Sequence, residues 1–333
     1  VRRVGGLWEQ ICSPETFRAA YLKARRGKRL AAEAVAFASD LQSNLEALRR
    51  SVAEQHWRPG PFRTFSITDP KPRIISAAPF PDRIVHHALI HVAGPIFERS
   101  LIHHTYACRI GKGTHAAVLH AFDRCKASPW YLKLDVRKYF DSIDHEILSG
   151  LIGSLFRERP LLEICKRIVG SYSTAPGRGV PIGNLTSQHF ANSYLSAFDH
   201  LVLERLRPAG YVRYMDDMVL WGAQKEELSG WAEEARSWLD ANRGLTLKHV
   251  LIGRSAKGLP FLGHRITTAG IYLSGRGKRR FRKKYRAMDS ALVNGLISEN
   301  EASHRIGSLT AATALARSRS FRHAVINGAV LRQ

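Results

Sequence analysis

Apolar residues recur along this chain with two different periods, and each switch of period marks an element. Near the start, Ser13, Pro14 and Glu15 form a helix-start signal: a capping hydroxyl, a proline at the first helical position and an acid in the first turn. A second helical run covers about Ala31 to Glu54. Pro59, Pro61, Pro70, Pro72, Pro79 and Pro81 then break the chain into short extended pieces. From Asp82 to about Phe97 the spacing of Ile84, Val85, Ala88, Leu89 and Val92 is helical again. Strict alternation appears at Tyr131 to Val136, with Leu132, Leu134 and Val136 on one face and Tyr131, Lys133 and Asp135 on the other. Asp144 caps a further helix whose stripe is Ile147, Leu148, Leu151, Ile152 and Leu155. Another helix begins near Thr186 or Ser187 and carries Phe190, Tyr194, Phe198 and Leu201. Tyr211 to Trp221 reads as two strands around a tight turn at Met215-Asp216-Asp217, followed by a helix bearing Leu228, Trp231, Ala235, Trp238 and Leu239. Strand, helices, hairpin, helix, short strands and a basic tail make an α+β order, not a doubly wound parallel sheet.

Charge narrows the function. Lys and Arg number 51 against 28 Asp and Glu, a formal net charge of +23, which points to a polyanionic partner such as nucleic acid. A membrane surface is the weaker partner, since no long basic amphipathic helix has an aromatic face. No apolar stretch is long enough to span a bilayer, and the first residues do not have a signal-peptide pattern. Cys12, Cys108, Cys125 and Cys165 lack the paired spacing of a zinc site or a disulfide framework, so a reducing cytoplasm is expected.

The chemistry centres on Tyr214-Met-Asp-Asp-Met-Val219. Side-by-side carboxylates in an apolar hairpin repel one another, and burial disfavours their ionised forms. A divalent cation removes both costs. Asp135 at the end of a strand offers a third carboxylate, and Val136 beside it is counted with Asp216 and Asp217 among the metal-holding residues. Two Mg²⁺ ions about 3.5–4 Å apart, with Mn²⁺ as a substitute, can then activate an attacking hydroxyl and stabilise a leaving pyrophosphate.

These motifs resemble those of reverse transcriptases. Tyr214-Met215-Asp216-Asp217 is similar to their signature, and Leu134-Asp135-Val-Arg-Lys-Tyr-Phe-Asp141 to their first catalytic motif. Gly179-Val-Pro-Ile-Gly-Asn-Leu-Thr-Ser-Gln188 resembles the motif between them. Phe261-Leu262-Gly263 resembles the entry to the primer grip, and Pro70-Lys-Pro-Arg73 with Asp82-Arg83 the fingers segment. The resemblance covers about residues 60 to 275 in the family's order. It implies a right-hand polymerase: an N-terminal helical extension (1–60), fingers (61–130), a palm (131–265, with an inserted fingers segment near 150–180), then the primer grip and a basic helical thumb (266–333).

Within the family, the chain resembles the enzymes of diversity-generating retroelements. Most relatives carry Gln-Gly, three variable residues, then Ser-Pro. Here Ile182-Gly183 and Ser187-Gln188 stand instead, and Tyr106 to His115 also looks like that subfamily. The resemblance implies cytoplasmic, bacterial or phage-encoded, error-prone copying of a template RNA into cDNA from deoxynucleoside triphosphates, with misincorporation at template adenines. It also implies an RNA/DNA duplex and a small basic helical accessory protein as partners. Two rivals stand beside this reading: a retron-type or phage-defence reverse transcriptase, and a non-catalytic RNA-binding protein on a polymerase scaffold.

Other residues carry finer expectations. Lys71 and Arg73 could grip a nucleotide triphosphate or be surface charge. Tyr139 or Phe140 could pack under the incoming sugar and exclude a 2′-hydroxyl. Gly183 would let backbone approach the nucleotide or template closely, and Ile182 bears on fidelity. Ser187 and Gln188 could cap a helix or touch nucleic acid. Tyr214 and Met215 are placed with the nucleic-acid contacts. Relatives carry a lysine after the palm helix that protonates pyrophosphate; here Lys248 and His249 are the weak candidates. Arg276 to Arg286 holds eight cations in eleven residues, Arg279, Arg280, Lys283 and Lys284 among them. With Phe281 and Tyr285 interleaved, it could track phosphates and stack on bases, or form a solvated helix face or a disordered tail. His86, His87, His91, His103 and His104 suggest a metal site less readily than ordinary satisfied or exposed histidines.

Overall fold

The computed structural model describes residues 3–28, 30–68 and 72–330, excluding the side chains of 329 and 330. Helices open the chain: α1 (Trp8–Ile11), α2 (Pro14–Arg25), α3 (Ala32–Ala38) and α4 (Leu41–Ala53). Ser13 caps α2 as its sequence predicts, its hydroxyl accepting from Thr16 N at 3.1 Å. The single helix expected over Ala31 to Glu54 is two helices. The chain breaks at Ser39 and Asp40, residue types that compete with helical hydrogen bonding and favour helix ends.

Strands β1 (Arg63–Thr68) and β2 (Pro72–Ala77) form an antiparallel ribbon, and α5 (Phe80–Arg99) and α6 (Thr114–Ala127) follow. Next come β3 (Trp130–Val136), α7 (Tyr139–Ser142), α8 (His145–Leu155), α9 (Arg159–Gly170), α10 (Leu185–Tyr194) and α11 (Ser196–Leu201), which runs into a π-helical turn. Then come β4 (Gly210–Tyr214), β5 (Asp217–Gly222), α12 (Lys225–Arg243), β6 (Leu247–Arg254), β7 (Leu259–Phe261), β8 (His264–Thr267) and β9 (Gly270–Leu273). Three helices close the described chain: α13 (Gly275–Val293), α14 (Glu299–Ala311) and α15 (Arg319–Val330). No helix among the described residues is long and apolar enough to cross a membrane.

The residues gather into two compact units. One draws on the chain up to Arg109, on Asp135–Arg207 and on Glu233–Lys248. Its core helix is α5, where Ile84, Val85, Ala88, Leu89, Ala93 and Phe97 are all at or below 1% exposure. A helix apolar on so many sides is buried on many sides, and α5 packs against α2 and α10. Asp144 caps α8 as expected, accepting from Glu146 N and Ile147 N. The β1–β2 ribbon is tied to the stretch before α10: Ser76 N donates to Ile182 O at 3.1 Å and Ala78 N to Asn184 Oδ1 at 3.3 Å.

The other unit comprises Ile110–Leu134, Pro208–Ala232 and the chain from His249 onward. It contains a sheet ordered β4-β5-β3-β6 and a smaller one ordered β7-β8-β9. The alternation read in β3 holds over most of the strand: Leu132, Leu134 and Val136 are buried, and Lys133 and Asp135 half-buried. Tyr131, expected on the face of Lys133 and Asp135, is buried too, its hydroxyl donating to the Gly258 carbonyl at 3.2 Å.

Candidate active site

The hairpin β4–β5 carries the adjacent aspartates. Its register pairs Tyr214 with Asp217, leaving Met215 and Asp216 as a two-residue turn, so Asp217 is the first residue of β5. Met215 takes φ +55°, a left-handed conformation that costs a non-glycine residue about 1–2 kcal/mol. A fully buried arginine supports it: Arg213, on β4, donates from Nη1 to the Met215 carbonyl at 3.2 Å. Behind the aspartates, Met218, Val219, Leu220 and Trp221 are wholly buried, so β5 is anchored along its length. The Thr114 hydroxyl donates to the Tyr214 phenol at 3.2 Å.

Strand β3, hydrogen-bonded beside β5 in the sheet, bears Asp135 on the same face as Lys133. The Lys133 ammonium lies 2.9 Å from Asp217 Oδ1 and donates to the Pro260 carbonyl at 3.0 Å. Among the described residues, no three His, Cys, Asp or Glu side chains are gathered closely enough to hold a metal ion. The chemistry of the hairpin nonetheless fits a divalent cation: its donors are hard carboxylate oxygens, and one already rests against a positive charge. Val136 is buried at 2% exposure.

The structure separates Tyr139 from Phe140. Tyr139 is buried, and its hydroxyl donates to the Ala191 carbonyl, so its ring belongs to the core. Phe140 is half-buried, and its carbonyl accepts from Val180 N at 2.9 Å. Gly183 takes φ +111°, and a Cβ there would meet Ile75 Cγ2 at 2.8 Å. The close approach it permits within the protein is to β2. Ile182 is half-buried. The cap of α10 is at Asn184, so Ser187 and Gln188 lie inside the helix and neither caps it; Ser187 is buried and Gln188 half-buried.

In the fingers-like segment, Arg73 is exposed on β2, opposite Ile67 of β1; Lys71 lies outside the described residues. Asp82 and Arg83 have structural partners. The Asp82 carboxylate accepts from Trp57 Nε1 at 3.1 Å and Gly60 N at 2.7 Å, with burial pushing its pKa above the ordinary aspartate range. Arg83 pairs with Glu33 at 3.0 Å. Phe261 and His264 pair across a two-residue turn, Leu262 (φ +46°) and Gly263 (φ +83°), the left-handed geometry that suits a tight hairpin. Lys248 and His249 are exposed on β6.

The basic run is the first half of α13. Arg279, Arg280, Lys283 and Lys284 are exposed, but Phe281 and Tyr285 are not available to stack on bases. With Met288 they form the buried stripe of the helix, packed against Ile306, Leu309, Phe321 and Val325. Spacings of four and three residues put these three on one face, and the cations fill the rest. The histidines form no metal cluster among the described residues. His86 is fully buried, and burial lowers its pKa to about 3.

Sequence reasoning missed Lys133 and Arg213 as parts of this site. Each left a signal: Lys133 shares the Asp135 face of β3, and Arg213 is a charge within an apolar strand.

Comparison with known proteins identifies the family. Residues 68–266, more than half of the chain, match the family model described as reverse transcriptase (RNA-dependent DNA polymerase). The chain is 25% identical over 274 residues to protein YkfC of Escherichia coli K12, covering 68% of this chain and 72% of that protein. It is 22% identical over 177 residues to the group II intron-encoded protein LtrA of Lactococcus lactis, covering 49% of this chain and 29% of LtrA. Apo telomerase from Candida tropicalis resembles it in fold, with a TM-score of 0.51 at 12% identity over 70% of this chain and 52% of that one. The chain belongs to the reverse transcriptase family. Its fold is the mixed helix-and-sheet fold of right-hand polymerases, and reverse transcriptase domains generally use divalent metal ions.

Proposed function

We propose that this chain is an RNA-directed DNA polymerase of the diversity-generating retroelement type, acting in the bacterial or phage-infected cytoplasm. The observation that carries the polymerase reading is the β4–β5 hairpin, which holds Asp216 in its turn and Asp217 at the start of β5, the strand next to the one that bears Asp135. In this reading Asp135, Asp216 and Asp217, with Val136 beside them, hold two divalent cations, Mg²⁺ or Mn²⁺. These cations supply the charge stabilisation that attack by a primer hydroxyl and departure of pyrophosphate require. Arg213 holds the turn through its hydrogen bond to the Met215 carbonyl. Phe140, the less buried of the two aromatics, packs under the sugar. Lys71 and Arg73 meet the triphosphate, Gly183 leaves room beside the nucleotide, and Gln188, Tyr214 and Met215 border the nucleic acid. The cationic face of α13 follows the phosphates of the RNA/DNA duplex. Residues 61–130 act as fingers, 131–265 as palm and 266–333 as primer grip and thumb, behind a helical extension at 1–60.

Two features support the retroelement subtype: Ile182 in place of the relatives' glutamine, and Gln188 after Ser187. The subtype entails a template RNA copied with errors at adenines and a small basic helical accessory protein. The test is primer extension on an RNA template. Asp216→Asn should lower DNA synthesis by more than about 100-fold while leaving RNA affinity close to that of the unmodified chain, because it removes a metal ligand without touching the basic surface. Synthesis within a few-fold of the unmodified chain would overturn the assignment. Tight RNA binding by a parent chain that cannot extend a primer would favour a non-catalytic scaffold.

A further inference from the structure

Lys133 lies at ion-pair distance from a hairpin carboxylate, and its position has a consequence for metal binding. Its side chain leaves β3 on the same face as Asp135. The ammonium reaches Asp217 Oδ1 at 2.9 Å on one side and the Pro260 carbonyl of β7 at 3.0 Å on another. It also lies 5.9 Å from the centre of the Phe261 ring. The two side chains are 19% and 26% exposed, so solvent only partly screens the pair. An ammonium has donors and no acceptor; here one donor goes to a main-chain carbonyl, and the contact with the Asp217 carboxylate is an ion pair. The ammonium therefore links the aspartate hairpin, by charge, to the strand that enters the β7–β8 turn, by a hydrogen bond.

We propose that Lys133 is a positioning residue that holds Asp217 in the metal-free protein and competes with divalent cations for that carboxylate. This rests on the reading of Asp217 as a metal ligand. With no cation bound, Asp216 and Asp217 are adjacent like charges, and Lys133 offsets one of them and fixes its direction. A cation arriving at Asp217 meets a positive charge already at the same oxygen, so the lysine must share the oxygen or swing toward Pro260. Lys133 thus lowers the affinity of the hairpin for metal and stabilises the metal-free state.

The measurement is Mn²⁺ binding to the full chain, followed by the electron paramagnetic resonance signal of free Mn²⁺, with melting temperature measured with and without Mn²⁺. Lys133→Met should bind Mn²⁺ about tenfold more tightly than the parent chain, the size expected from removing one neighbouring like charge. It should also melt lower without metal and gain more from added Mn²⁺. Lys133→Arg, which keeps the charge, should retain the weaker affinity. Affinity in a folded Lys133→Met equal to or weaker than that of the parent chain would overturn the proposal. If Lys133→Met does not fold, Lys133→Gln removes the charge while keeping a hydrogen-bonding end, and the same outcomes apply. Asp217→Asn separates the two levels. Equal Mn²⁺ binding by the parent chain and Asp217→Asn would overturn the ligand assignment and this inference with it. Loss of binding in Asp217→Asn with no change in the Lys133 variants would overturn this inference alone.

Discussion

Tyr139 and Phe140 are neighbours in sequence, yet only the first is buried in the core. The Tyr139 hydroxyl donates to the Ala191 carbonyl, whereas Phe140 is half-buried. Under the proposed function, Phe140→Ala should raise ribonucleotide incorporation relative to deoxyribonucleotide by about tenfold, the range that apolar contacts in a pocket supply. Tyr139→Phe should cost about 1 kcal/mol of stability from the lost hydrogen bond and leave sugar choice unchanged. Competition between the two nucleotide types, alongside denaturant unfolding, separates these effects. At Ile182 the carbonyl is fixed by Ser76 N, so a substitution there changes the side chain more than the path of the backbone. Glutamine could hydrogen-bond the nucleotide or template where isoleucine can only pack. Ile182→Gln is expected to lower misincorporation at template adenines several-fold, since one hydrogen bond is worth about 0.5–1.5 kcal/mol. Sequencing cDNA copied from a defined RNA reads this directly, and an unaltered adenine error rate in an active variant would place the infidelity elsewhere.

Among the elements, α5 ties acid stability to the core. Burial lowers the His86 pKa to about 3, and burial first, then nearby cations, lowers that of His87 to about 4. The ordinary value is 6.5, so the unfolded chain takes up protons that the folded chain refuses. The stability these neutral histidines contribute is present above pH 6.5 and is lost as pH falls toward about 4 and 3. From pH 7.5 to 5.5 the part due to His86 should amount to about 1 kcal/mol. Urea unfolding at the two pH values should show this loss in the parent chain and a smaller one in His86→Leu. The same pH dependence in both would remove His86 as its source. Helix α13 shows how an element redistributes the roles of its residues. Its eleven-residue basic run looked like a mixed cationic and aromatic binding surface, but helical spacing turned Phe281 and Tyr285 inward and left the cations outside.

For the molecule as a whole, under the proposed function, the net charge of +23 makes nucleic-acid affinity a matter of counter-ion release. Replacing Arg279, Arg280, Lys283 and Lys284 together with glutamine should weaken binding to many RNA sequences about equally. It should also reduce the slope of log K against log salt by at most about one unit per lost phosphate contact. Their exposure means that the fold should survive, which circular dichroism checks. An unchanged slope would show that this face of α13 does not meet phosphates.

Sequence alone determined the elements whose period is strong and whose ends are chemically marked. The β3 alternation, the Asp144 cap and the Asp216–Asp217 hairpin were legible because local spacing and capping decide them. So was the family, because its motifs stand in order along the chain. The break at Ser39–Asp40 was less legible, since the apolar pattern continues across it. Tertiary structure decided which neighbour does what. It buried Tyr139 and left Phe140 half-buried, placed Gly183 against Ile75, put the α10 cap at Asn184 and buried Arg213 with a hydrogen bond to the Met215 carbonyl. It also brought Lys133 to both Asp217 and Pro260, residues far along the chain. Periodicity states which face a side chain occupies; only packing of distant segments states what that face meets.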